Sequence, residues 1–193
     1  MRHRSSLFGV TLAILLCGAV VFAQAPASLP KPGPEVKKLG VLVGNWTESV
    51  ELKPSSMMPS GGKLTLSLSC VWIVNGFAVS CTETGEMPGM GKVTDKYTMA
   101  YDSEAKNYIF FEVSSDGEVG TTRGTINGDT WVFESDLPMQ GKMTHDRFTA
   151  HYTSKDSADV IYEMGPDASH MQVIMEGKQT RVKPALAAPK KTS

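Results

Sequence analysis

From Lys63 to Glu86 the chain alternates apolar and polar residues in two runs on either side of Asn75-Gly76. Leu64, Leu66, Leu68, Cys70, Trp72 and Val74 share one face of the first run, and Phe77, Val79 and Cys81 continue it in the second. Asn-Gly is the dipeptide best suited to a type I′ turn, because both central residues need positive φ. A two-residue turn at 75–76 pairs Val74 with Phe77, Trp72 with Val79 and Cys70 with Cys81. Counting outward from that turn puts the cysteines at a hydrogen-bonded position of the ladder.

Similar alternation predicts further strands on both sides of this hairpin. Pro34 suits the first turn of a short helix from Glu35 to about Leu42, and a first strand runs from Gly44 to about Lys53. Downstream, strands are expected at 93–101, 108–114, 118–126, 130–135, 143–154, 158–164 and 170–176, with polar or Gly-containing turns between them. Ten short strands after one short helix predict an all-β fold, a single antiparallel up-and-down barrel, with a sandwich as the alternative. If the strands run up and down, one end carries tight turns (75–76, 102–107, 127–128, 155–156). The other carries 54–62, 84–92, 115–117, 136–142 and 165–169, which are longer and rich in Pro, Gly and Met.

The first 23 residues read differently. Arg2, His3 and Arg4 precede an uncharged apolar run from Leu7 to Phe22, and Val21-Phe22-Ala23 offers the small residues a signal peptidase needs. The run is 16 residues long, short for a membrane span. The expected division is a signal peptide at 1–23, a Pro-rich linker at 24–34, a barrel domain at 35–182 and a disordered tail at 183–193. The protein is then exported, periplasmic or extracellular in a bacterium, with no membrane span after cleavage. Loss of Arg2 and Arg4 takes the basic residues from 19 to 17 against 20 acids, a net charge near −3. That balance argues against nucleic acid as a partner. Export also leaves Cys70 and Cys81 as the only cysteines, in a compartment where directly opposed strand residues can form a disulfide.

The common catalytic motifs are missing. There is no Gly-x-Ser-x-Gly, no His-Glu-x-x-His and no Cys-x-x-Cys. His145 and Asp146 are strand neighbours that point to opposite faces, and His145, Arg147, Thr149 and His151 read as a solvated polar face. No catalytic residue, metal ligand or cofactor is assigned. Met57, Met58, Met87, Met90 and Met139 cluster in the long loops. They suit gap filling, a greasy ligand mouth or, through soft thioethers, a Cu(I) site.

Leu42-Val43-Gly44-Asn45-Trp46 after a short helix resembles the Gly-x-Trp opening of lipocalin-like (calycin) barrels. With Asn75-Gly76, Met87-Pro88-Gly89, Tyr101-Asp102, Lys106-x-Tyr108 and Arg181, the chain is similar to a bacterial domain family of unknown function, often exported. The resemblance spans roughly Val36 to Arg181 and implies a stack of Arg181 on Trp46. Ten strands and no evident C-terminal helix place the chain nearer the ten-stranded fatty-acid-binding branch. The reading favoured by these observations is a non-enzymatic barrel holding a small apolar or amphipathic ligand. Its candidate contacts are Trp72, Phe77, Val79, Met87, Met90, Tyr97, Met99 and Met139. The alternatives are an enzyme using His145 or His151 as base, a Met-loop copper binder, and a solid-cored interaction module.

Overall fold

The structure, a computed structural model, describes residues 29–55, 58–89, 91–139 and 141–183. The signal-peptide and linker expectations fall largely outside these residues, as do Met57, Met90 and the tail from 184 onward. No helix among the described residues is long and apolar enough to cross a membrane.

Ten antiparallel strands close into one barrel in which each strand pairs with its sequence neighbours and the first pairs with the last. They are β1 (Gly44–Leu52), β2 (Gly62–Ile73), β3 (Ala78–Met87), β4 (Gly91–Asp102) and β5 (Asn107–Ser114), followed by β6 (Val119–Asn127), β7 (Thr130–Met139), β8 (Lys142–Ser154), β9 (Ser157–Gly165) and β10 (Gln172–Arg181). A short helix, α1 (Pro34–Lys38), runs into a 3-10 turn at Leu39–Val41. Pro34 opens α1, where its missing N–H costs no intrahelical bond.

The β2–β3 register has Trp72 opposite Val79 and Cys70 opposite Cys81, and the two sulfurs are bonded. The turn itself is wider than two residues. Asn75 and Gly76 take positive φ and the Phe77 N–H donates to the Val74 carbonyl, as in a type I′ turn. Val74 is also left-handed, at φ 49°, so the last ladder pair is Ile73–Ala78. That extra step shifts the hydrogen-bonding parity by one residue. The cysteine Cα atoms are accordingly 4.1 Å apart, close to the spacing of a non-hydrogen-bonded pair.

Two strand limits also differ from the expectation. β10 runs to Arg181 rather than ending at Glu176, because closure requires it to match β1 from Leu52–Met175 down to Trp46–Arg181. Residues 167–170 instead form a turn, with His170 N–H on the Asp167 carbonyl. β7 continues through Pro138 to Met139, paired there with β8 alone. Its pairing with β6 stops at Arg123–Glu134, which leaves Pro138 on a free edge where a missing N–H is tolerated.

The helix side of the barrel is sealed. Leu39, Leu42 and Trp46 are all buried there, and the Trp46 indole N–H donates to the Leu42 carbonyl at 2.7 Å. The Arg181 guanidinium lies 4.1 Å from the Trp46 ring centroid. It also donates to the carbonyls of Val43 and Val41, at 2.6 Å each, and to Asp156. Gly44 makes room for this clamp: its φ is +126°, and a Cβ there would stand 2.7 Å from Arg181 Nη1. Tyr108 ties the helix to β5 through hydrogen bonds to the Glu35 carbonyl and carboxylate.

Candidate functional site

Above this plug the barrel is hollow. A cavity of about 490 Å³ occupies the interior between the plug and the opposite end, where β1 connects to β2, β3 to β4, β5 to β6, β7 to β8 and β9 to β10. Inward parity supplies an apolar wall from Leu64, Leu66 and Leu68 on β2, Tyr97 and Met99 on β4, Phe110 on β5, and Trp131 and Phe133 on β7. Met58, Met87, Met139 and Met164 line it toward the loops. Alongside Thr122, also in the lining, the separation of β6 from upper β7 leaves the wall without ladder pairing.

Of the candidate ligand contacts, Met87, Tyr97, Met99 and Met139 line this space and Met90 falls outside the described residues. Trp72, Phe77 and Val79 do not line it, which corrects their expected place on the cavity wall. All three sit at the sealed end. Val79 is fully buried on the strand that meets the 3-10 turn, and Phe77 lies in the hairpin turn. Trp72 is 37% exposed with its ring edge toward Gly40. Alternation along a strand carries no mark of the point where the plug replaces the cavity.

His145 and His151 are absent from the lining. His145 pairs with Asp136 at 2.8 Å, a hydrogen bond that raises the imidazole pKa, and His151 meets Thr130 Oγ1 at 3.1 Å. Asp146 faces inward, as its alternation with His145 requires. Its carboxylate accepts from Ser135 N–H, from Ser135 Oγ and from Tyr162 Oη at 3.0 Å.

The polar side of the cavity lies outside the expected ligand contacts. Glu48, Glu83, Asp95 and Glu112 join the apolar wall on β1, β3, β4 and β5, and Asp116 and Glu118 stand at the rim. No Lys, Arg or His lines the cavity among the described residues. Glu48 is 5% exposed and receives one hydrogen bond, 3.3 Å from Gln179 Nε2. Glu83 lies directly opposite Asp95 across β3–β4, a like-charge pair. Asp95 accepts from Ser114 Oγ, whereas Glu83 has no hydrogen-bond or ion-pair partner among the described residues. Loss of solvation pushes Glu48 up to about 7, although the Gln179 hydrogen bond opposes the shift. Burial and then the neighbouring negative charges, Glu118 first, push Glu112 up to about 7. Glu83 is driven well above the usual carboxylate range by burial, then by Glu48, Asp95 and Glu112. Burial and the nearby acids, Glu83 first, raise the Tyr97 phenol. A carboxyl on an apolar strand face is the signal that marks these positions in the sequence, as in Trp46-x-Glu48-x-Val50 and Val93-x-Asp95-x-Tyr97.

The fold and cavity define a closed ten-stranded antiparallel barrel with a plugged base and an acid-bearing hollow interior. The family model described as "Protein of unknown function (DUF1579)" matches residues 31–181, and the chain belongs to that family. No match is found among the curated proteins. Among solved structures, the crystal structure of Rv2717c from M. tuberculosis is similar at 12% identity and a TM-score of 0.55. That match covers 78% of this chain and 99% of the other. A redesigned beta barrel matches at 8% identity and a TM-score of 0.42, covering 80% of this chain and all of the design. The likeness to Rv2717c concerns the fold.

Proposed function

We propose that this protein binds a small amphipathic molecule inside its barrel, in an oxidising compartment outside the cytoplasm. The observation that carries the reading is the 490 Å³ hollow, within the size range of small-molecule sites and walled mainly by apolar and aromatic side chains. Methionine side chains at the loop end suit a mouth that adapts to its ligand, and the Cys70–Cys81 bond supports the compartment. Titration with the neutral apolar fluorophore N-phenyl-1-naphthylamine tests the cavity. Saturable uptake at about one site per chain is expected. Thr122→Trp, which places an indole in the hollow from its wall, removes that uptake while near-ultraviolet circular dichroism stays close to native. Absence of uptake by the native protein, or unchanged uptake in Thr122→Trp, overturns the reading.

A further inference from the structure

We propose that the ligand is a cationic amphiphile, with an ammonium-bearing head at the carboxyl groups of Glu48, Glu83 and Glu112 and an apolar tail among the leucines, methionines and aromatic rings. The inference rests on the cavity reading above and specifies its ligand class. Two kinds of interior acid are present. Asp146 is structural, because Ser135 and Tyr162 satisfy it from the neighbouring strands. Glu83 has no partner among the described residues yet lines an apolar cavity opposite a second acid, Asp95. Leaving an uncompensated carboxyl in a low-dielectric interior costs stability, and an incoming cation removes that cost.

Among the described residues, the groups facing these acids carry no positive charge. Glu48 meets Gln179 of β10, Glu83 meets Asp95 of β4, and Glu112 lies beside Tyr97. Arg181, at the base, is occupied by the backbone carbonyls of Val41, Val43 and Lys155, by Asp156 and by the Trp46 ring. A fatty-acid anion thus finds no cationic partner among the described residues that line the cavity. Nor does a metal ion fit, because no three His, Cys, Asp or Glu side chains among the described residues converge as a ligand set. Charge spread over several strands matches a bulky, weakly hydrated organic cation. Gly120, opposite Glu112, supports the placement: a Cβ there would stand 2.9 Å from Glu112 Oε1, so glycine leaves that carboxyl free to turn. Asp116 and Glu118 at the rim attract the same charge toward the mouth.

The raised carboxyl pKa values add a pH signature. Binding a cation expels protons from these acids, so affinity rises with pH through about 7 and falls below it. Calorimetric titration of the native protein with dodecyltrimethylammonium, dodecanol and dodecanoate, each below its aggregation concentration, tests the inference. The cation is expected to bind at least tenfold more tightly than the carboxylate at pH 8 and to weaken about tenfold at pH 6. Glu83→Gln and Glu112→Gln each weaken the cation severalfold and leave dodecanol unchanged. These isosteric changes remove a half-buried acid of the cavity wall, so thermal melts are expected to show folded variants. Dodecanoate binding as tightly as the cation, or Gln variants with unaltered cation affinity, overturns the inference while the cavity reading stands. Failure of all three probes to bind overturns both.

Discussion

At the residue scale, Glu48 shows what an interior acid costs in stability. Folding removes its carboxyl from water and returns one 3.3 Å hydrogen bond from Gln179. Its pKa rises from 4.5 to about 7 in the folded chain, so between those values the folded state holds a proton that the unfolded state has released. Stability accordingly declines as pH rises through that window and levels off above it. Glu112, at about 7, and the more strongly raised Glu83 act in the same direction. So does His145, whose Asp136 contact stabilises the fold below the unfolded histidine pKa and is lost as pH climbs through the raised value. The melting temperature is therefore expected to be higher at pH 5 than at pH 8. Glu48→Gln raises stability at pH 8 by about 2 kcal/mol, leaves pH 5 nearly unchanged and flattens the slope, as read by melts across the range. An unaltered slope in Glu48→Gln would show that its carboxyl is ionised in the folded protein. These acids are visible in the sequence only as single interruptions of an apolar face. Whether such a residue points into a filled core or a hollow depends on the summed volume of ten strands.

At the element scale, the β2–β3 hairpin is the most legible part of the chain. Period-two alternation and Asn75-Gly76 set the register that brings Cys70 to Cys81. What local pattern does not reveal is Val74 at positive φ, a conformation a β-branched residue adopts only under tertiary constraint. The helix plug is similarly hidden, so alternation alone assigns Trp72, Phe77 and Val79 to a cavity that stops above them. The disulfide spans a sequence separation of 11, and its loss frees unfolded-chain entropy worth about 2–3 kcal/mol. Cys70→Ser, Cys81→Ser and the double variant are each expected to lose about that much stability in denaturant unfolding. Their strand signal in far-ultraviolet circular dichroism is retained, because the ladder from Leu66–Gly85 to Ile73–Ala78 does not need the bond. A double variant as stable as the native protein would mean that the reduced unfolded chain keeps the hairpin.

At the scale of the whole molecule, topology separates one seam from the rest. Every strand pairing joins sequence neighbours except β1 with β10, where Trp46 meets Arg181 from the far end of the barrel sequence. The up-and-down order is readable from turn spacing, but closure is not, because no local signal states which strands meet last. Bringing those ends together costs loop entropy that the local hairpins avoid, so the seam is expected to form after the transition state. Arg181 sits on it, stacked on Trp46 and bonded to the carbonyls of Val41 and Val43, which have to be satisfied when buried. Arg181→Ala removes these contacts together with the Asp156 ion pair, for a loss of about 2 kcal/mol. If the seam closes late, that loss appears almost wholly in the unfolding limb. Unfolding in stopped-flow denaturant jumps then speeds up about thirtyfold while refolding is nearly unchanged. A matching slowing of refolding would instead place the β1–β10 contact in the folding nucleus, with the barrel built outward from its seam.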